Sequence, residues 1–207
     1  MIRQWSVGKF VFNSIFVCFL IFFIVYAVKF GSCFGAVNRL PRVEDYQIMR
    51  ILVYGTSTSE NGNTVSAVIS LLDTAGNECA VLERSWRGTS LSIDFRSAEF
   101  SGRKFLFPEI IYGCETIYEH SGRGLFGAGT YLERYYNENG QCMLLGTGSS
   151  YKNRHDLYML SRFAANPATA FSAGFSRRYT IDLSSCETGV YYAVVTDSDG
   201  RLELRPE

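Results

Sequence analysis

Gly122, Gly124 and Gly127 stand as G-x-G-x-x-G in GRGLFGAGTY (122–131). In a dinucleotide site such glycines let a strand-to-helix turn approach a pyrophosphate, inside a βαβ unit. The preceding IIYGCETIYEH has strand character, but nothing after the glycines reads as a second βαβ half, so a turn is expected and no cofactor. The chain has two histidines, His120 and His155, each beside an acid, Glu119 and Asp156. Glu115, Glu119, His120 and His155 supply the oxygen and nitrogen donors a metal would want. Adjacent strand residues point to opposite faces, which separates Glu119 from His120, so surface positions without metal are expected. Ser149-Ser150 with His155-Asp156 supplies the residue types of a hydrolytic triad but no G-x-S-x-G elbow, and reads as a polar loop ending in a helix cap. Asp197-Ser198-Asp199-Gly200 lacks the Gly and Glu positions of a calcium loop and reads as a turn. Catalytic residues are unassigned; the seven Gly, Glu and His positions from Glu115 to Gly127 and His155 are the pocket candidates of an alternative, enzymatic reading.

The Gly-x-Tyr of the same stretch is similar to a piece of the ADP-ribosyltransferases. That family pairs it with an upstream His-Gly-Thr, and the counterpart here is Tyr54-Gly55-Thr56, with Tyr in place of His. A few residues carry the likeness and the key one departs, so membership is not inferred. Cys79, Cys114, Cys142 and Cys186 are candidate disulfide cysteines of an exported body; four thiols pair in three ways, and sequence does not choose. No CxxC is present to suggest zinc. Without pairing, each is a small buried hydrophobe.

The element with the clearest sequence signal precedes all of these. Phe10 to Val28 is 19 residues without a charge. A hydrocarbon core of roughly 30 Å needs ~20 helical residues, so residues 10–28 form a transmembrane signal anchor behind a short head, 1–9. Trp5 and Tyr26 fall near its ends, where aromatic rings favour the interface. A cleavable signal would need a small residue where Phe34 stands. Lipoprotein processing would modify Cys33, but Phe30 and Lys29 suit that signal poorly. Basic residues flank both sides, Arg3 and Lys9 against Lys29, Arg39 and Arg42, so the short head and long body argue for an exported body. Residues 29–45, with Gly, Pro and charge, read as a linker.

The body, 46–207, alternates like strands. YQIMRILVY, TVSAVISLL, ECAVLERSW, SLSIDF and KFLFPEIIY are strand runs, with DTAGN as a hairpin turn. TSTSENGN (56–63) reads as a loop. Pro108 marks an edge or a bulge. RRYTIDL, VYYAVV and RLELRP continue the pattern around DSDG, a turn like DTAGN. LYMLSRFAA reads as a helix with Asp156 at its N-cap, Leu157, Leu160 and Ala164 on one stripe, and Pro167 as stop. TYLERYYN has Thr130 and Glu133 at capping-box spacing yet leans to strand before Asn139-Gly140. The expected fold is mostly β, an antiparallel sandwich or partly open barrel with one or two short helices.

The whole chain balances 20 Lys+Arg with 20 Asp+Glu. The first 33 residues hold Arg3, Lys9 and Lys29 and no acid, which leaves the remainder slightly acidic. Such a body lacks the basic footprint of a nucleic-acid binder. The absence of any N-x-S/T points away from a glycosylated eukaryotic ectodomain and toward a bacterial cell envelope. The expectation is a non-catalytic exported domain whose partners are the lipid bilayer and other envelope proteins or glycans.

Overall fold

Ile2–Arg39 forms one unbroken helix, α1. The computed structural model describes residues 2–42, 45–59, 62–114, 129–165, 175–197 and 199–207. The apolar half of α1 is exposed on all sides, from Phe10 through Val28. Gly8–Arg39 is the one helix among the described residues long and apolar enough to cross a membrane. The linker expected from residue 29 is corrected: helix continues to Arg39, because Cys33, Ala36, Val37 and Leu40 are buried. Packing of that stripe outweighs the weak helix propensity of Gly31 and Gly35.

Eleven strands follow among the described residues, all paired antiparallel. β1 (Tyr46–Ser59), β2 (Gly62–Leu72), β3 (Glu78–Arg87), β10 (Tyr191–Thr196) and β11 (Leu202–Pro206) make a five-stranded sheet in the order β11-β10-β1-β2-β3. β4 (Ser90–Phe100), β5 (Arg103–Cys114), β6 (Thr130–Tyr131) and β9 (Arg178–Asp182) make a second sheet, β6-β5-β4-β9. Met49, Ile51 and Ile69 of the first sheet share one buried core with Leu91, Ile93 and Phe95 of the second. The fold is thus mostly β, as the alternating pattern requires. TSTSENGN is not simply a loop: β1 runs on to Ser59 and β2 begins at Gly62, so β-branched threonines extend both strands.

The two Asp-x-x-Gly turns are built alike. Asp73 Oδ1 accepts the amides of Ala75 and Asn77, both at 2.8 Å. Asp197 Oδ1 accepts those of Asp199 at 3.0 Å and Arg201 at 2.7 Å. Gly76 (φ +83°) and Gly200 (φ +67°) supply the left-handed position each turn needs. A second close approach needs Gly113, where a Cβ would lie 1.9 Å from the Arg87 carbonyl as the chain passes from β3 into β4.

Between the sheets' strands lie α2 (Glu133–Tyr136), the hairpin β7 (Asn137–Glu138) and β8 (Gln141–Cys142), a 3-10 turn (Met143–Leu145), and α3 (Tyr151–Ala165). The strand leaning for TYLERYYN is corrected in part. β6 and β7 hold only its ends, α2 holds its centre, and Asn139-Gly140 turns the hairpin with positive φ at both residues. The capping box is not formed; Thr130 instead accepts Trp86 Nε1 at 3.0 Å and Arg84 Nη1 at 3.1 Å, joining the two sheets at one edge. α3 also starts earlier than expected. Ser150 Oγ accepts the Asn153 amide at 3.2 Å as the N-cap, and Asp156 lies inside the helix. The stripe Leu157, Leu160 and Ala164 is buried as expected.

Candidate functional site

The most heavily built polar and aromatic constellation joins α1 to the body. Arg39 lies in the last turn of α1, and Asp156 is one turn into α3. Arg39 Nε and Nη2 donate to Asp156 Oδ2 and Oδ1, both at 2.7 Å, a bidentate fork. The Asp156 side chain is only 7% exposed, against 43% for Arg39, so the carboxylate depends on this partner. Arg103, at the β4–β5 turn, donates to the carbonyls of Val37, Leu40 (3.0 Å) and Pro41 (2.7 Å). Those are carbonyls that the end of a helix leaves without intrahelical donors, and a cation there also opposes the negative end of the helix dipole. Burial, then the neighbouring Arg42, pulls the Arg103 pKa down from its ordinary value.

Aromatic rings complete the junction. Phe100 ends β4 and is fully buried. Its ring lies 5.4 Å from Phe30 of α1, 5.0 Å from Phe163 of α3 and 5.4 Å from Phe175. Alternate β4 residues Ser92, Asp94, Arg96, Ala98 and Phe100 share one face of the sheet. One end of that face is thus an apolar dock for α1 and α3, and the other is polar.

At the polar end, Asp94 Oδ1 accepts from Thr180 Oγ1 at 2.7 Å and from the Tyr112 hydroxyl at 3.2 Å. Burial, then Asp94, pushes the Tyr112 pKa up to about 12. Arg178 forks onto Glu109 with two bonds of 3.1 Å. Arg96 Nε lies 3.0 Å from Glu109 Oε1, off the hydrogen-bond direction. Glu109 is the extra residue of a bulge beside Pro108, which turns its side chain toward these arginines. Each carboxylate faces a guanidinium, so the cluster clamps β9 to β4 and β5.

Two cavities adjoin the junction. One, of about 430 Å³, has Leu106, Leu144 and Leu157 in its wall and Arg42, Arg103, Lys104 and Asp199 at its rim. Two of its cations are engaged: Arg103 holds α1, while Lys104 binds the Gly200 carbonyl and sits 4.0 Å over the Tyr179 ring. The other, of about 490 Å³, opens between α1 and α3.

The residues singled out in sequence fare differently. Glu115, Glu119, His120, Gly122, Gly124 and Gly127 lie outside the described residues. His155 is described; its Nδ1 pairs with the Gly140 carbonyl at 2.9 Å, and Tyr151 and Tyr158 stack on either side. It ties α3 to the β7–β8 hairpin. The Ser-His-Asp set does not converge: Ser149 donates to the Leu145 carbonyl, Ser150 caps α3, and Asp156 is held by Arg39. Tyr54-Gly55-Thr56 lies on β1 and Thr130-Tyr131 on β6, in different sheets. Among the described residues, no three His, Cys, Asp or Glu side chains gather as a metal site.

All six cysteines are free thiols in the structure. Cys33 is 1% exposed and packs inside the junction. Cys79 Sγ donates to the Met143 carbonyl at 3.3 Å, beside Cys142, and Cys114 Sγ lies 3.3 Å from Ser92 Oγ. Sequence reasoning missed Arg39, Arg103, Phe100, Asp94 and Glu109. Of these, Pro108 gave notice of the bulge, and Phe30, Cys33, Val37 and Leu40 at helical spacing gave notice of the docked stripe.

What fold and junction define together is a class: an antiparallel β-body packed against the end of a helix long and apolar enough to cross a membrane. No protein-family description, characterised protein or solved structure matches this chain.

Proposed function

We propose that this chain is a single-pass membrane protein whose β-rich body is exported and works without catalysis, as an envelope or interaction domain held against its own anchor. The observation that supports it is the continuity of α1. One helix is exposed and apolar through Phe10–Val28 and then buries Cys33, Val37 and Leu40 in the body's core. A flexible tether would let the body roam; this junction fixes its distance from the bilayer. Retention of the anchor also fits the burial of Cys33, which lipoprotein processing would instead need at a new N-terminus. The charged clusters support the non-catalytic reading, because Asp94, Glu109 and Asp156 are each matched to an arginine. Its partners would be other envelope proteins or glycans.

Alkaline carbonate extraction, protease treatment of intact cells and intact-mass measurement test the proposal together. The expected result is a full-length chain that stays with the membrane and a body digested from outside. Loss of residues 1–32 with acyl mass on Cys33 would replace the anchor by a lipoprotein. A body protected from external protease would reverse the orientation.

A further inference from the structure

Tyr26, Lys29, Phe30 and Cys33 fall at i, i+3, i+4 and i+7, on one face of α1. Across from them α3 presents Tyr158, Met159, Arg162 and Phe163, and the cavity of about 490 Å³ lies between. Its height relative to the bilayer follows from the sequence. The uncharged run ends at Val28, and 19 helical residues rise ~28 Å, close to the thickness of the hydrocarbon core. Lys29 therefore stands at the boundary, with Tyr26 less than one turn inside it. The cavity opens at headgroup level.

Its chemistry is amphiphilic. Rings and the Met159 thioether make one wall. Lys29 is exposed and has no acidic partner among the described residues. Arg162 gives one nitrogen, Nη1, to Glu133 Oε1 at 3.1 Å, and its side chain remains 58% exposed, with further donors free to bind. Glu133 is the lone carboxylate of the lining, so the two cations leave it net positive. A phosphodiester with an attached acyl chain matches both parts, and the bilayer presents that ligand at this level.

We propose that this cleft binds one anionic phospholipid, with its phosphate between Lys29 and Arg162 and an acyl chain along Tyr26, Phe30 and Met159. The bound lipid would fill the gap between anchor and body and set the body's tilt. The inference rests on the membrane-anchor reading, and the test separates the two.

The full chain is reconstituted into phosphatidylcholine vesicles with or without one part in five of phosphatidylglycerol, then released and weighed by native mass spectrometry. The expected result is one phosphatidylglycerol retained per chain and no phosphatidylcholine. Lys29→Gln and Arg162→Gln should each weaken retention about five-fold, as one interfacial cation is worth ~1 kcal/mol. Met159→Trp should reduce retention by filling the cleft with no change of charge. Equal retention of both lipids, no retention, or retention untouched by all three substitutions would overturn the proposal. Failure of the chain to float with pure phosphatidylcholine vesicles would refute the anchor itself; flotation without phosphatidylglycerol retention would refute the cleft alone.

Discussion

The two halves of α1 are made of the same backbone and much the same residue types, yet one is left exposed and the other packs into the body. From Phe10 to Val28 apolar side chains cover every face, and none of that window is buried in the protein. From Lys29 to Arg39 the apolar residues narrow to a stripe, and the opposite face takes the exposed Gly31 and Asn38. A lipid environment rewards apolarity all round, whereas a protein surface rewards it on one side only. The difference teaches where a membrane would stop if the helix spans one: at the residue where the pattern changes from uniform to amphipathic, even though the helix does not break.

The strongest way to break one half alone is at Phe100. Its ring is fully buried where α1, α3 and Phe175 meet. Truncation to Ala is expected to destabilise the body by about 3–5 kcal/mol. Urea unfolding in mild detergent would measure it, with membrane retention unchanged. A loss under 1 kcal/mol would mean the junction is not packed as described. The reciprocal change is Phe19→Arg in the middle of the exposed half. On insertion scales an arginine there is unfavourable by about 2.5–3.5 kcal/mol. Carbonate-resistant protein should fall sharply, while the body's unfolding midpoint in detergent stays put. If this arginine lowered the midpoint as much as Phe100→Ala, the two halves would not be independent.

How far the sequence reveals this division depends on whether the signal is local. Strand runs are legible because period-two burial is written into neighbouring residues, as in β2, where Val65, Ala67 and Ile69 are buried and Ser66 and Val68 between them are less so. The Asp-x-x-Gly turns were legible for the same reason: Asp73 and Asp197 bond amides two and four residues away. The docked half of α1 reads as a linker because Gly31, Gly35 and Pro41 are local breakers, while the packing that overrides them comes from α3 and β4. Asp156 reads as a cap in sequence because its partner, Arg39, is 117 residues away. The candidate site had no local signature either; Phe100 and Arg103 look like ordinary strand-end residues until the helix is set against them.

The Arg39–Asp156 fork offers a smaller but more pointed test. Arg39→Ala leaves a buried carboxylate without its cation, which is worse than losing both members of the pair. The single variant should melt below the double variant Arg39→Ala with Asp156→Asn. A cycle showing no coupling would mean the pair is only a surface contact.

The gentlest test uses alkaline pH, which acts on the body and spares the membrane half. Burial pushes the Cys142 thiol up to about 12 and those of Cys79 and Cys186 up to about 11, from an ordinary value of 9.0. Tyr112 rises to about 12 from 10.0. In each case the fold favours the neutral form, so the unfolded chain gives up its proton first as pH rises. The stabilisation is whole below about pH 9 and drains away between about 9 and 12, through the folded pKa values. Denaturant midpoints measured across that range should decline, whereas the run of Phe10–Val28 has no carboxylate or amine, is apolar along nearly its whole length, and should keep the chain in the membrane throughout. A midpoint that held level to pH 11 would show that these groups ionise without penalty in the folded body, and so that the interior beside β8 is open to water.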